Sequence, residues 1–493
     1  MTTEEIIESS IYFDKEFYED TYTDVGESEL SPIEHYMTIG AKQDYNPSEH
    51  FNAHFYQLAN PEYLLSTPNP LKHYLLEGKS YGALICPVLL NTSLEKKANL
   101  NKGLLKRKSN TSLKIAFFSH NLNLEGAPLV CKDIAVAMQK NTDISITVFS
   151  PTDGFLKEQL EAVGIDVIIH KPFDKNHITS NQNFTDFISN FAATLEHYNF
   201  DALYGNTILS FWLIHVANQL QMPSVFHIHE SEPLNYHIRN TSFDFVPLIL
   251  EALDSAHRVV FVADNTFEKY KCYQKYNNFT VIKNAFSADE IPLIDQSRQQ
   301  VRDDLGIEEN EQMIVNIGTV ANRKGQIDII NSLKLLDEAT LGKIHFVIIG
   351  DVDTSYSQHL HKLIEEMPQD QASRIHFIKK TSRVFDYYNS ADICLFTSRI
   401  ESYPKAIQEA MHYALPIITT PVDGIVEQLQ DRHSALFYQA GNAKELATRI
   451  MQLSDDENLQ KKLGSNAYSA LQKMISPTEM MIRYTELFQS SDS

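Results

Sequence analysis

The chain has 493 residues, 43% of them hydrophobic and 22% charged, which is enough for two or three separate cores. Its formal net charge of -22 argues against a general binder of nucleic acid or of anionic membranes. The four cysteines, Cys86, Cys131, Cys272 and Cys394, stand far apart with no metal-ligand spacing, which suits a reducing compartment. The start, Met1-Thr2-Thr3-Glu4-Glu5, lacks the basic residues and apolar run of a signal peptide, and no apolar stretch is long enough to span a bilayer. A cytoplasmic protein is expected, with contact at the inner membrane face left open.

Residues 1–94 carry an internal repeat. Phe13, Phe17, Tyr18, Pro32, His35, Tyr36 and Gly40 recur 38 positions later as Phe51, Phe55, Tyr56, Pro70, His73, Tyr74 and Gly78. Each copy reads as a helical unit, with Pro-x-x-His-Tyr opening a helix and Gly stopping it. The repeated His-Tyr pair could hold a metal, but on a short helix it is better read as packing. Residues 95–112 form a basic linker, in which Lys96, Lys97, Lys102, Lys106, Arg107 and Lys108 face one acid.

From Lys114 the pattern turns to strands alternating with helices. Lys114–Ser119, Ile144–Phe149, Val167–Ile169, Ala202–Tyr204, Ser224–His227 and Val259–Val262 read as strands, with helices such as Leu129–Gln139 and Phe184–Tyr198 between them. A second series runs through Met313–Ile317, His345–Ile349, Ile375–Ile378 and Ile393–Phe396, and ends at Pro416–Thr419. Two such series imply two doubly wound α/β units, over 113–295 and 296–476, facing a cleft. Pro477 marks a break before a last helix over 477–493.

Four loops at the ends of these strands carry candidate chemistry. Gly126, in the stretch after the first strand, lets backbone approach a ligand where the next helix opens. Pro223–Glu230 is a strand running into His227 and His229, where open sheets bind ligands. The two histidines could be zinc ligands, but no third follows at a convincing spacing, and His227 is better read as structural. Gly318 and the Arg323-Lys324 pair open the second unit, offering a close turn and two cations before a helix. The order is wrong for a P-loop. Asp351 and Asp353, at the end of the strand His345–Ile349, look like a metal-binding acid pair.

The stretch Arg399–Met411 is the centre of the chain. Glu401 falls in a loop, Pro404 suits a first helical turn, and Glu409 sits on the helix over Ala406–Tyr413. Two carboxylates beside the anion-favouring end of a helix suit a ligand with both hydroxyls and phosphates, such as a nucleotide sugar. Glu401 and Glu409, followed by Ala410-Met411 and Leu415-Pro416, resemble the signature of retaining glycosyltransferases of the GT-B fold, family 4, and the resemblance covers roughly residues 113–490. N-terminal repeats of this kind are also found on some bacterial glycosyltransferases.

The resemblance implies transfer of a sugar from a nucleoside diphosphate donor, such as UDP, to an acceptor hydroxyl, in bacterial polysaccharide or glycoprotein synthesis. Arg323 and Lys324 would take the diphosphate and Glu409 the ribose. Glu401, with the backbone of Ser402, Tyr403, Lys405 and Ala406, would hold the sugar and phosphates, and Gly126 and Gly318 would line the donor. His229 would face the sugar and help stabilise charge. The last helix would cross back onto the first unit. No cofactor is implied, and no metal at Asp351 and Asp353, since their strand resembles one of the family's nucleotide-binding unit, which normally needs none. The acceptor would be a glycan, a lipid-linked saccharide or a protein, and self-association stays open. Two rivals are a non-catalytic partner subunit of the same fold and a sugar epimerase. The chain departs from the family pattern at Ser402, Ala414, Asp423-Gly424 and Ala435, where the family carries glycine or a glycine pair.

Overall fold

The computed structural model describes residues 3–10, 12–28, 30–43, 45–48, 51–53, 56–57, 69–76, 78, 112–170, 173–232, 234, 236, 245–288, 291 and 293–488. Cys86, Phe55 and the basic linker up to residue 111 lie outside them.

Two parallel sheets organise the chain. The first has seven strands in the order β3-β2-β1-β4-β5-β6-β7: Leu113–Phe118, Ile144–Ser150, Asp166–Ile169, Ala202–Asn206, Ser224–Ile228, Arg258–Phe261 and Phe279–Val281, numbered along the chain. The second has six, β10-β9-β8-β11-β12-β13: Gln312–Ile317, Ile344–Asp351, Ile375–Lys379, Ile393–Leu395, Ile417–Thr419 and Leu436–Phe437, again numbered along the chain. All pairings are parallel. The central strands are near-continuous apolar runs because helices cover both faces, which leaves each sheet between two apolar cores.

In both sheets the strand order reverses beside the first strand, between β1 and β4 and between β8 and β11. Loops leaving the carboxyl ends of neighbouring strands diverge there and open a crevice, the usual place for a ligand in an open sheet. β7 and β13 were not foreseen. They are three and two residues long, too short for a periodic signal. The site helix runs Lys405–His412, with Pro404 as its N-cap residue at φ -69° and ψ 125° rather than inside its first turn.

The last helix, Pro477–Glu486, lies on the first unit, where Met480 and Tyr484 enter the core beneath helix Gly126–Asn141. Among the described residues no helix is long and apolar enough to cross a membrane.

The N-terminal copies explain their own repeat. Helices Pro32–Thr38 and Pro70–Leu76 each begin at the repeated proline. The Tyr18 hydroxyl meets His35 Nδ1 at 3.1 Å, and the Tyr56 hydroxyl meets His73 Nδ1 at 2.7 Å, both pairs buried. The histidines are thus packing elements tied to a tyrosine. Gly40 does more than stop a helix: it begins a 3-10 turn, and a Cβ there would lie 1.9 Å from the Tyr18 hydroxyl.

Candidate active site

The two cations of the second unit sit on a loop held from behind. Arg323 and Lys324 form a 3-10 turn ended by Gly325 at φ +66°, where a Cβ would lie 2.2 Å from the Thr397 carbonyl. Only glycine permits that approach. The Thr397 hydroxyl donates to the Lys324 carbonyl at 2.7 Å, and the Arg399 N–H donates to the Arg323 carbonyl at 2.7 Å. Arg399 itself grips buried Asp328 with two nitrogens at 2.6 and 2.5 Å, while Tyr438 donates to the same carboxylate at 3.0 Å. A bidentate pair of this kind fixes direction as well as distance. Arg399, Asp328 and Tyr438 therefore set the position of the cation loop; Asp328 and Tyr438 were not singled out in the sequence, and Arg399 only as the start of the central stretch.

Those cations converge on Glu401. The Lys324 ammonium bonds its Oε2, Arg323 lies 3.8 Å from the same oxygen, and the Ser398 hydroxyl donates at 3.3 Å. Burial alone would raise the Glu401 carboxyl, but Lys324 and Arg323 overcome it and hold the group below its ordinary range. Burial pulls the Lys324 ammonium down from its usual value, with Glu401 opposing.

The Glu401 N–H donates to Asp423 at 3.1 Å, and Lys269 of the first unit binds that carboxylate at 2.5 Å. Asp423 adopts φ +43° and Ala414 φ +51°, so two of the non-glycine departures occupy left-handed backbone, at a cost of ~1–2 kcal/mol each. Gly424 stays glycine because a Cβ would lie 1.6 Å from the Ser402 carbonyl.

Helix Lys405–His412 presents Lys405 in its first turn, and the ammonium bonds Asp133 of the first unit. One turn further, Glu409 accepts the Tyr388 hydroxyl at 3.0 Å through Oε2. Oε1 has no hydrogen-bond partner among the described residues. Burial raises the Glu409 carboxyl, with Lys405 opposing. Ser402 reaches the first unit directly, its hydroxyl 2.8 Å from that of Ser231, and the Tyr403 carbonyl accepts Asn284 at 3.1 Å.

Across the cleft, the groups at the end of β5 are driven toward their neutral forms. His227 is wholly buried between the Tyr204 hydroxyl on Nδ1 and the Tyr484 hydroxyl at 3.0 Å on Nε2, so it is structural and has no nitrogen spare for a metal. His229, two residues on, is partly exposed and meets Asn206 Oδ1 through Nε2 at 2.8 Å. Burial, with His120 nearby, pushes it down to about 3. As a neutral ring it offers hydrogen bonds rather than positive charge.

Glu230 accepts the N–H groups of Ile208 at 3.0 Å and His229 at 2.9 Å, and burial pushes it up to about 8. Gly126 opens helix Gly126–Asn141 with open space at its Cβ position. Beside it, Glu125 pairs with Lys380 of the second unit at 3.0 Å.

Asp351 is occupied by the Ser357 hydroxyl and by His361 at 3.0 Å, and Asp353 accepts Gln358 at 2.8 Å, so the two acids hold the following helix. No group of three potential metal ligands occurs among the described residues.

Two Rossmann-like units with their strand ends facing one another, and a last helix returning to the first, define a GT-B fold, the architecture of glycosyltransferases. Comparison with known proteins agrees. Residues 297–470 match the family described as glycosyl transferases group 1. The chain is 22% identical over 258 residues to the putative teichuronic acid biosynthesis glycosyltransferase TuaC of Bacillus subtilis, covering 52% of this chain and 61% of that one. It is 22% identical over 358 residues to a Campylobacter jejuni α-1,4-N-acetyl-D-galactosaminyltransferase named for an undecaprenol-linked glycan, covering 72% of this chain and 92% of that one. Anabaena HepE in complex with UDP-glucose superposes with a TM-score of 0.64 at 18% identity, over 76% of this chain and 98% of HepE.

Proposed function

We propose that this protein is a retaining glycosyltransferase, taking a sugar from a nucleoside diphosphate donor to an acceptor hydroxyl in bacterial surface-glycan synthesis. The observation that carries the reading is the convergence of Arg323 and Lys324 on Glu401 beside the β8/β11 crevice, with the next residue, Ser402, touching the β5 loop of the opposite unit. A sugar diphosphate fits between these loops by chemistry. Its phosphates replace Glu401 as partners of the two cations, its ribose hydroxyls meet Glu409, and its sugar faces His229.

In the reaction the bond from the anomeric carbon to the β-phosphate oxygen breaks, and a bond to the acceptor oxygen forms on the same face. The acceptor proton passes to the departing phosphate, so no separate base is needed. Arg323 and Lys324 offset the negative charge that grows on the leaving diphosphate, fixed in place by Asp328, Arg399 and Thr397 before the substrate arrives. The donor is assigned as UDP-linked on the likeness to HepE, and the acceptor as a glycan or lipid-linked saccharide on the names of the relatives. The test is to incubate the protein with UDP-glucose, UDP-N-acetylglucosamine, UDP-N-acetylgalactosamine and guanosine and thymidine diphosphate sugars. Release of nucleotide from at least one supports the reading, and none from any overturns it.

A further inference from the structure

Asn206, at the end of β4, is wholly buried, so both ends of its amide need partners. Its Nδ2 donates to the Ala127 carbonyl at 3.0 Å. That carbonyl can only accept, which fixes the amide's orientation and turns Oδ1 toward His229 Nε2, 2.8 Å away. An amide oxygen has no hydrogen to give, so Nε2 must carry the proton. In a neutral imidazole the lone pair then lies on Nδ1. Among the described residues nothing hydrogen-bonds Nδ1.

The backbone around this pair is over-determined. Thr207, directly after Asn206, holds φ +81°, a strained conformation for a residue with a Cβ. It is kept there by its N–H on the His227 carbonyl at 2.8 Å and by the Ile208 N–H on Glu230. Glu230 also takes the His229 N–H, so one carboxyl joins the β4 loop to the β5 end. The titratable groups around the His229 ring are His120 from the β1 loop, His227 with ring centroids 3.9 Å apart and planes tilted by 46°, and Glu230 beside it.

We propose that Asn206 is a positioning residue: it locks His229 as the Nε2–H tautomer and so presents Nδ1 as a hydrogen-bond acceptor for a hydroxyl of the bound sugar. The identity of that hydroxyl rests on the glycosyltransferase reading, whereas the tautomer rests only on the geometry. Because Asn206 is tied to Ala127, the loop carrying Gly126 and the ring facing the sugar move as one hydrogen-bonded unit.

The test uses the full chain with 15N-labelled histidine, in which each ring nitrogen reports its own proton, and His229→Gln to assign the signals. The wild type is expected to show Nε2–H at neutral pH. Asn206→Leu removes the acceptor and should abolish that preference. Its release of UDP from the sugar donor should fall about tenfold, one hydrogen bond's worth, with UDP affinity by calorimetry unchanged. Asn206→Asp keeps an acceptor, so it should retain the tautomer and more activity than Asn206→Leu. Its carboxylate also makes His229 more basic, which moves the acid limb of the pH–rate profile to higher pH.

An Nδ1–H ring in the wild type overturns the proposal, as does full turnover in Asn206→Leu. Equal impairment of both variants with one pH profile shows a merely structural bridge and overturns it too. Should Asn206→Leu fail to bind UDP, the wild-type tautomer and the Asn206→Asp profile decide. Failure of the transferase reading looks different: the Nε2–H tautomer is present, but the wild type neither binds UDP nor releases it from any donor.

Discussion

The cleft brings together two groups of residues of different character. On the second unit Arg323, Lys324, Glu401, Arg399 and Asp328 are ions paired with ions, and Asp423 and Lys405 pair with Lys269 and Asp133 of the first unit. On the first unit His227, His229 and Glu230 are titratable groups that burial drives toward their neutral forms. A diphosphate is recognised by charge, and preset charges need other charges to hold them. Sugar hydroxyls are recognised by directional hydrogen bonds, for which neutral donors and acceptors with fixed tautomers serve better. On the proposed reading, one face would grip the charged diphosphate and the other would read the uncharged sugar beside it.

Breaking the charged face should have the largest effect. Lys324→Ala should lower donor turnover about 100-fold or more, measured as released nucleotide. Lys324 is well buried, so the change also strands the Glu401 carboxylate and should cost ~2 kcal/mol in urea denaturation. Adding Glu401→Gln should recover the stability and leave turnover low. Arg323→Ala, on a half-exposed side chain, should impair turnover with ~0.5 kcal/mol or less in stability.

A smaller loss is expected at Glu409. Glu409→Gln keeps an oxygen for Tyr388 but weakens the acceptor offered to ribose hydroxyls. The dissociation constant for UDP should rise about tenfold in calorimetry, and equal affinities would refute the assignment.

The neutral face should show itself in stability against pH, in two opposite windows. His229 is held at about 3 when folded against an ordinary 6.5, and His227 is depressed too. Their contribution is complete above pH 6.5 and is lost as pH falls toward 3, since only the unfolded rings take up protons readily. Glu230 is held at about 8 against 4.5, so its effect runs the other way: stability is lost as pH rises from 4.5 to 8. Melting temperatures of Glu230→Gln should therefore lose the decline on the alkaline side and keep the acid one.

The smallest effect on the site should come from the N-terminal repeats. Tyr18→Phe leaves buried His35 without its hydroxyl partner and should destabilise that region by ~1–3 kcal/mol, with donor turnover unchanged. Reduced turnover would tie the repeats to the donor half of the site.

The sheet strands were legible because each is a short apolar run between polar loops, a local pattern that survives without knowledge of neighbours. β7 and β13 were missed because they pair at sheet edges on two or three residues, where pairing rather than composition makes the strand. Arg323, Lys324, Glu401 and Glu409 could be read because each follows a legible strand. Asn206 at the end of β4 and Asp328 on the helix Ile327–Leu333 carry no such mark, because what they do depends on partners far along the chain, Ala127 and Arg399.

The sequence by itself determined two doubly wound units, the strand ends that meet, and the repeat before them, because apolar periodicity and internal identity are properties of neighbouring residues. Only the tertiary structure decided how the site is wired. Asp133 meets Lys405 across 272 positions, and Tyr484 closes on His227 across 257. The charge state of the first face was likewise undecided, since desolvation belongs to the surroundings and not to the residue. The same histidine on an open loop would titrate near neutrality; under Asn206 and beside His227 it stays neutral, with its proton on one chosen nitrogen.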